Sequence, residues 1–203
     1  MKDHFSIRAE GYDTTDYRLK YVDEMARGIL AKAPLSPTSR ILDFGAGTGL
    51  LTERLAPYVG EIFAVDISPS MIDQLKEKAP QLPCRIETLR QDLTKGPLPD
   101  LSVDGVVSTM TLHHIADPLA LLRRLQRLIR PGGFLALCDV DTEDGSFHTL
   151  DTGVMHHGFE REKIREWMED AGFSSVSVED VTTIVKPHGA YPAFIAFGIK
   201  SEG

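Results

Sequence analysis

From residue 40 to about residue 173, short apolar runs alternate with amphipathic helical patterns, and nothing else in the chain constrains its fold as much. The runs 40–44, 62–65, 84–89, 103–108 and 134–138 read as strands, because each is short, apolar and followed by turn residues. Helical patterns fill most of the gaps: 50–58, 69–79 with Ile72 and Leu75 inward, and the stripe Leu119, Leu122, Leu125, Leu128 and Ile129, stopped by Pro131-Gly132-Gly133. Continuous apolar strands are those buried on both faces of a parallel sheet. A helix over 21–33, with Val22, Met25, Ala26, Ile29 and Leu30 on one stripe, precedes them and ends at Pro34 and Pro37. A helix over 159–171 ends at Gly172, and two strands follow near 176–185 and 193–199. Too little chain separates those last strands for a crossover helix, so one of them must run antiparallel. The expectation is an α/β chain: a doubly wound, seven-stranded sheet, mostly parallel with one antiparallel C-terminal strand, and helices on both faces. A single domain over 1–203 is expected, with an N-terminal helical segment over 1–38 and the core over 39–203.

Composition narrows the partners. The 203 residues include 22 Lys+Arg against 30 Asp+Glu, a formal charge of −8. Such a chain has no general attraction for phosphate backbones or anionic lipid, which argues against a nucleic-acid or membrane partner. No stretch approaches the ~20 apolar residues of a membrane span, and no secretory h-region is seen near Met1. Cys84 and Cys138 both sit in apolar runs, as free buried thiols do. A cytoplasmic location is expected.

The turn after the first strand, Asp43-Phe44-Gly45-Ala46-Gly47-Thr48-Gly49, lets backbone approach a ligand closely. A dinucleotide fingerprint would put its third glycine at position 50, where Leu50 stands, and a P-loop would need a lysine that is absent. The carboxylate of Asp43 disfavours a pyrophosphate at close range and favours a cation such as an ammonium group. Asp66, about 20 residues beyond Gly45, is placed to accept hydrogen bonds from both hydroxyls of a ribose. Asp92 ends the third strand beside Leu93 and can address the exocyclic amine of an adenine. Carboxyl ends of parallel strands form the ligand crevice of such sheets, so the three aspartates together describe a nucleoside with a cationic tail and no phosphate.

At these residues the chain resembles the class I S-adenosylmethionine-dependent methyltransferases, in particular the small-molecule group of the ubiquinone/menaquinone-biosynthesis type. The matching segments are 41–49, Val65-Asp66-Ile67-Ser68-Pro69-Ser70-Met71, Gln91-Asp92-Leu93, 104–117 and Leu128-Ile129-Arg130-Pro131-Gly132-Gly133, in the expected order over roughly residues 40–140. The resemblance implies a Rossmann-like sheet and S-adenosyl-L-methionine as cofactor, with S-adenosyl-L-homocysteine as product. It implies that Asp43, Gly45, Ala46, Gly47, Thr48 and Gly49 hold the methionine part, that Asp66 binds the ribose, and that Ile67 and Met71 flank the adenine. Asp92 with Leu93 would fix the adenine edge, and Thr109 would lie near the sulfonium. Residues 9–13, with Tyr12, resemble the family's N-terminal segment that closes over the cofactor. Plainer roles stand beside these: Asp43 as a turn cap, Thr109 as a strand-end residue, Tyr12 as core.

Five of the seven histidines fall in two places, His113 with His114 and His148 with His156 and His157. Histidine is the usual general base near neutral pH. His148, His156 and His157 are the candidate catalytic bases; His113, His114 and Asp139 are candidate acceptor-binding residues. Asp139, Asp141, Glu143 and Asp144 could join histidines around a metal, but the spacing is not diagnostic and no metal site is assigned. Residues 139–158 are too few for a lid domain, so an open site is expected, covered by the N-terminal segment or a dimer partner. The leading reading is methyl transfer to a small-molecule acceptor by a monomer or homodimer. A methyltransferase for protein or RNA, and a non-catalytic cofactor-binding module, remain alternatives because fold does not set substrate.

Overall fold

The computed structural model of the chain describes residues 16–149 and 153–201. Helix α1 (Asp16–Lys32) precedes β1 (Arg40–Phe44), α2 (Leu50–Leu55), β2 (Glu61–Asp66), α3 (Pro69–Lys78) and β3 (Arg85–Arg90). Then follow β4 (Val103–Thr109), α4 (Pro118–Leu128), β5 (Ile129–Val140), α5 (Arg161–Asp170), β6 (Phe173–Lys186) and β7 (Gly189–Lys200). The strands form one sheet in the order β3-β2-β1-β4-β5-β7-β6. The first five pair in parallel, and β7 runs antiparallel to both β5 and β6. This is the doubly wound sheet with one antiparallel C-terminal strand that the alternation predicts.

Strand alternation sends successive side chains to opposite faces. Ile41, Ile62, Val107 and Ala136 pack with α1 and α2 on one face. Leu42, Phe63, Val106 and Leu135 pack with α4 and α5 on the other. Helix α4 illustrates the local logic. Its leucines Leu121, Leu122, Leu125 and Leu128 are all buried, Pro118 occupies the first turn, and Asp117 Oδ1 accepts from the Ala120 N–H at 3.0 Å. Helix α3 starts the same way, with Pro69 in its first turn and Ser68 Oγ accepting from the Met71 N–H. Such caps contribute about 1 kcal/mol each.

The structure departs from the sequence reading in element length. Ile129 already pairs with Val103 before Pro131-Gly132-Gly133 breaks the register, so β5 is longer than its apolar run. Strands β6 and β7 extend to a turn at Pro187-His188, where Lys186 pairs with Gly189. Their outer part overhangs the sheet: β5 stops pairing with β7 at Ala193, while β6 accompanies β7 to its end. The polar, irregular β6 is an edge strand, and β3 is the opposite edge. That edge position leaves Cys84, just ahead of β3, only half-buried, whereas Cys138 in β5 is buried.

Candidate active site

The strand order reverses between β1 and β4. Loops leaving the carboxyl ends of strands on either side of such a point diverge and leave a crevice. Here it is a cleft of about 770 Å³, the size of a small-molecule site.

One side of the cleft is built from β1, β2 and β3. Gly45, Gly47 and Gly49 have φ of 71°, 55° and 90°, and Gly45 and Gly47 face the cleft. A Cβ on Gly45 would stand 2.3 Å from Thr111 Oγ1, whereas one on Gly47 would meet no atom within 4 Å. Gly47 therefore offers bare backbone to a ligand. Ala46 is buried, and both its N–H and that of Gly45 donate to the Val65 carbonyl at the end of β2. A Cβ on Gly49 would collide with Leu75 of α3, so this glycine serves packing.

Asp66 ties this side together. Its Oδ2 accepts from the Gly47 N–H and its Oδ1 from the Ser68 N–H, each at 2.8 Å. The carboxylate also lines the cleft. Ile67 beside it is 49 % exposed, unusual for a large apolar side chain next to a cleft. Met71 and Leu93 are buried and also line the cleft. Asp92 Oδ1 accepts from the Thr94 N–H and hydroxyl, at 3.0 and 2.5 Å, and Lys95 pairs with Oδ2 at 3.0 Å. Burial pulls Asp92 upward, but these hydrogen bonds and the Lys95 charge hold it below its ordinary value.

Asp43 and Thr48 are not on the cleft surface. Asp43 is buried under the glycine loop, where the Thr52 hydroxyl donates to its Oδ2 at 2.6 Å. Burial pushes its carboxyl up to about 7 against that hydrogen bond, with the charge of Asp66 adding to the rise. Thr48 is likewise buried. Tyr12 lies outside the described residues.

The opposite side is built around the ends of β4 and β5. Thr109 and Thr111 line the cleft, and between them Met110 takes a left-handed φ of 56° while its N–H donates to the Cys138 carbonyl. His113 is buried and points its Nδ1 at Asp139 Oδ1, 2.7 Å away; Asp139 Oδ2 accepts the His113 N–H, and Oδ1 also accepts the Val140 N–H. His148 Nε2 stands 3.1 Å from His113 Nε2. His113, His114 and His148 all line the cleft, so the structure gathers three candidates from two distant stretches of chain. Asp139 reaches the cleft only through His113.

His156 and His157 do not join them. The His156 ring sits 2.9 Å from the Ile115 carbonyl and packs on Phe159, holding the loop down. The His157 side chain is 65 % exposed and faces Glu143. Residues 141–158 also do more than an open site would need, since Phe147, His148 and Met155 wall the cleft. Lys186, Pro187 and His188 of the overhanging β6–β7 turn complete that wall. Lys186 Nζ lies 3.2 Å from the Phe147 ring centre and donates to its carbonyl, and Tyr191 is hydrogen-bonded to Ser146. That this turn reaches the cleft depends on β6–β7 register, which no local pattern announces.

Residues 42–137 match a family model described as a methyltransferase domain. These residues form a methyltransferase domain. An uncharacterized methyltransferase of Schizosaccharomyces pombe is 33 % identical over 154 residues, covering 68 % of this chain and 54 % of that one. The chain spans about half the length of the curated relatives it matches. Among solved structures, a chain of the complex between the Haloferax volcanii Trm112 methyltransferase activator and a methyltransferase superposes with a TM-score of 0.76 at 20 % identity, covering 100 % of both chains. The Haemonchus contortus phosphoethanolamine N-methyltransferase 2, solved with phosphomonomethylethanolamine and S-adenosylhomocysteine, gives 0.74 at 17 % identity, covering 98 % of this chain and 60 % of that one. The methyltransferase domain thus has the class I fold that the motifs of residues 40–140 resemble.

Proposed function

We propose that this methyltransferase domain binds S-adenosylmethionine on the aspartate side of its cleft and methylates a small molecule seated on the histidine side. The observation that carries the reading is Asp66, a carboxylate at the cleft wall joined to the bare backbone of Gly47 and flanked by the half-exposed Ile67. These residues fit the group. The Asp66 carboxylate at the cleft wall suits ribose hydroxyls, Ile67 and Met71 offer apolar faces to an adenine, and Asp92 with Leu93 its edge. Gly45 and Gly47 admit the amino-acid tail, with Ala46, Thr48 and Gly49 shaping the loop and Asp43 acting from beneath it. The cofactor supplies an electrophilic methyl on a sulfonium sulfur, which passes to the acceptor and leaves S-adenosylhomocysteine.

The chain's own task is alignment and exclusion of water, and well-oriented reactions reach effective molarities on the order of 10⁵–10⁸ M. Thr109 stands between the two sides. His148 is the one candidate base that lines the cleft, so the acceptor's nucleophilic atom is assigned to the histidine end. Backed by His113 and Asp139, His148 would take a proton from that atom. The cleft's size and its wall of Phe147, Met155 and the 186–188 turn favour a small acceptor. The charge of −8 speaks against RNA, and Ser108-Thr109-Met110-Thr111 stands where methyltransferases of planar amines carry an Asn/Asp-Pro-Pro-Tyr-type motif. The reading takes 39–203 as one core and places it in the cytoplasm. No helix among the described residues is long and apolar enough to cross a membrane.

Thermal melting with S-adenosylhomocysteine, S-adenosylmethionine and NAD tests the reading. A ligand at 100 times its Kd stabilises by about 2.7 kcal/mol, and each kcal/mol moves Tm by about 2–4 °C at this size. Shifts of several degrees with the first two and none with NAD are expected. No shift with either sulfur ligand at millimolar concentration would overturn it.

A further inference from the structure

The three histidines of the acceptor side are arranged as ligands, not only as a base. His113, His114 and His148 each present one ring nitrogen such that the three lie within 4.8 Å of one another. His113 Nε2 and His148 Nε2 are 3.1 Å apart. Two imidazoles on one tetrahedral zinc, with Zn–N of 2.0–2.1 Å, stand about 3.3 Å apart, so this pair already has the edge such an ion needs. A modest turn of the half-buried His114 ring brings in the third.

A second observation comes from behind the cluster. Asp139 is fully buried, and its Oδ1 is 2.7 Å from His113 Nδ1. The carboxylate is itself fixed by the N–H groups of His113 and Val140. It therefore keeps the Nδ1 proton on His113 and leaves the Nε2 lone pair pointing at His148. A carboxylate behind a ligating imidazole fixes its tautomer and raises its basicity. The buried negative charge also offsets part of a dication. Three imidazoles without a coordinating carboxylate suit zinc and its late first-row neighbours rather than magnesium or calcium.

We propose that His113, His114 and His148 bind one divalent transition-metal ion, zinc-like in preference, with an open position facing the cleft. Three protein ligands and one open position is the pattern of a zinc site that handles substrate. The open position takes an acceptor bearing a thiol, phenol or similar metal-binding group. The ion lowers the pKa of that group, whose proton leaves to solvent; its heteroatom then forms the new bond to carbon as the cofactor's carbon–sulfur bond breaks. In the loaded protein the ion does the work that His148 would otherwise do as a base. The use of the open position rests on the methyltransferase reading; the binding of the ion does not.

The test is calorimetric titration of the chelator-stripped, tag-free protein with zinc chloride, with cobalt(II) absorption as a second readout. The expected result is one ion per chain at micromolar affinity or tighter, with the cobalt spectrum of a four-coordinate site. His114→Ala and His148→Gln should each weaken binding at least tenfold, and Asp139→Asn by 10–100-fold with an unchanged circular-dichroism spectrum. The proposal fails if the wild type takes up no zinc at millimolar concentration, or if His148→Gln binds zinc as the wild type does. It also fails if a His113→Ala/His114→Ala/His148→Ala variant retains the same stoichiometry and affinity. Melting of the metal-free protein with S-adenosylhomocysteine reads the cofactor side separately, so loss of one finding leaves the other standing.

Discussion

The Gly47 N–H donates to Asp66 Oδ2 at 2.8 Å, so a single carboxylate links the glycine loop after β1 to the end of β2. The same group faces the cleft. Asp66→Ala should cost at least about tenfold in S-adenosylhomocysteine affinity, ~1.4 kcal/mol. The protein should still fold, because the released N–H groups of Gly47 and Ser68 can turn to water. Titration calorimetry with a melting curve checks both; unchanged affinity in a folded variant would remove Asp66 from the site.

Asp43 gives a pH dependence of definite sign. Its folded carboxyl titrates near 7 rather than at its ordinary 3.8. Between those values the folded state holds a proton that the unfolded state has released, so this group's contribution to stability falls as pH rises from about 4 to 7 and levels off above. Asp43→Asn, which keeps an oxygen for Thr52, should therefore gain on the wild type across that window, by up to roughly 4 kcal/mol. Melting temperatures of both proteins at a series of pH values supply the comparison. A constant difference between them would contradict the buried, protonated Asp43.

Two glycines of the same loop should fail differently. Gly45→Ala places its methyl against the Thr111 side chain at a positive φ, and should lower Tm by several degrees as well as binding. Gly47→Ala meets no protein atom, so its stability cost is the left-handed backbone alone, about 1–2 kcal/mol. Its methyl instead occupies ligand space, and its main effect should appear as weaker cofactor binding. Parallel measurement of Tm and Kd separates the two.

Ile67 is half-exposed, so Ile67→Ala removes little buried area from the free protein. It should leave Tm within a degree or two while weakening the adenosyl ligand several-fold, since apolar area covered by a ligand is worth about 25 cal/mol per Å². Equal losses in stability and affinity would place this side chain in the core instead.

The sheet and the aspartate side were legible because their signals are local. Apolar runs, Pro and Asp at helix starts, and glycines at a strand end act within a few residues, and Asp66, Ile67 and Asp92 follow their strands directly. The histidine side was legible only in part. His113 and His148 meet although they are 35 positions apart, through the path of a loop that no periodicity encodes. His156 and His157, eight and nine positions after His148, look the same in the sequence and are directed elsewhere by the Ile115 carbonyl and Glu143. Lys186 and His188 were invisible as wall residues, because strand-end positions say nothing about how far a hairpin runs past its neighbour.

That overhang has an evolutionary consequence. Beyond Ala193 the hairpin pairs with no interior strand, so substitutions at its exposed positions 183, 185, 187, 188 and 190 leave the ladders of β1, β2, β4 and β5 intact, while the buried Ile184 and Tyr191 hold it to the core. The histidine side of the cleft can be reshaped there by drift at little cost to folding, while Asp66 on the other side stays anchored at the end of β2. New acceptors are most readily acquired at the hairpin tip.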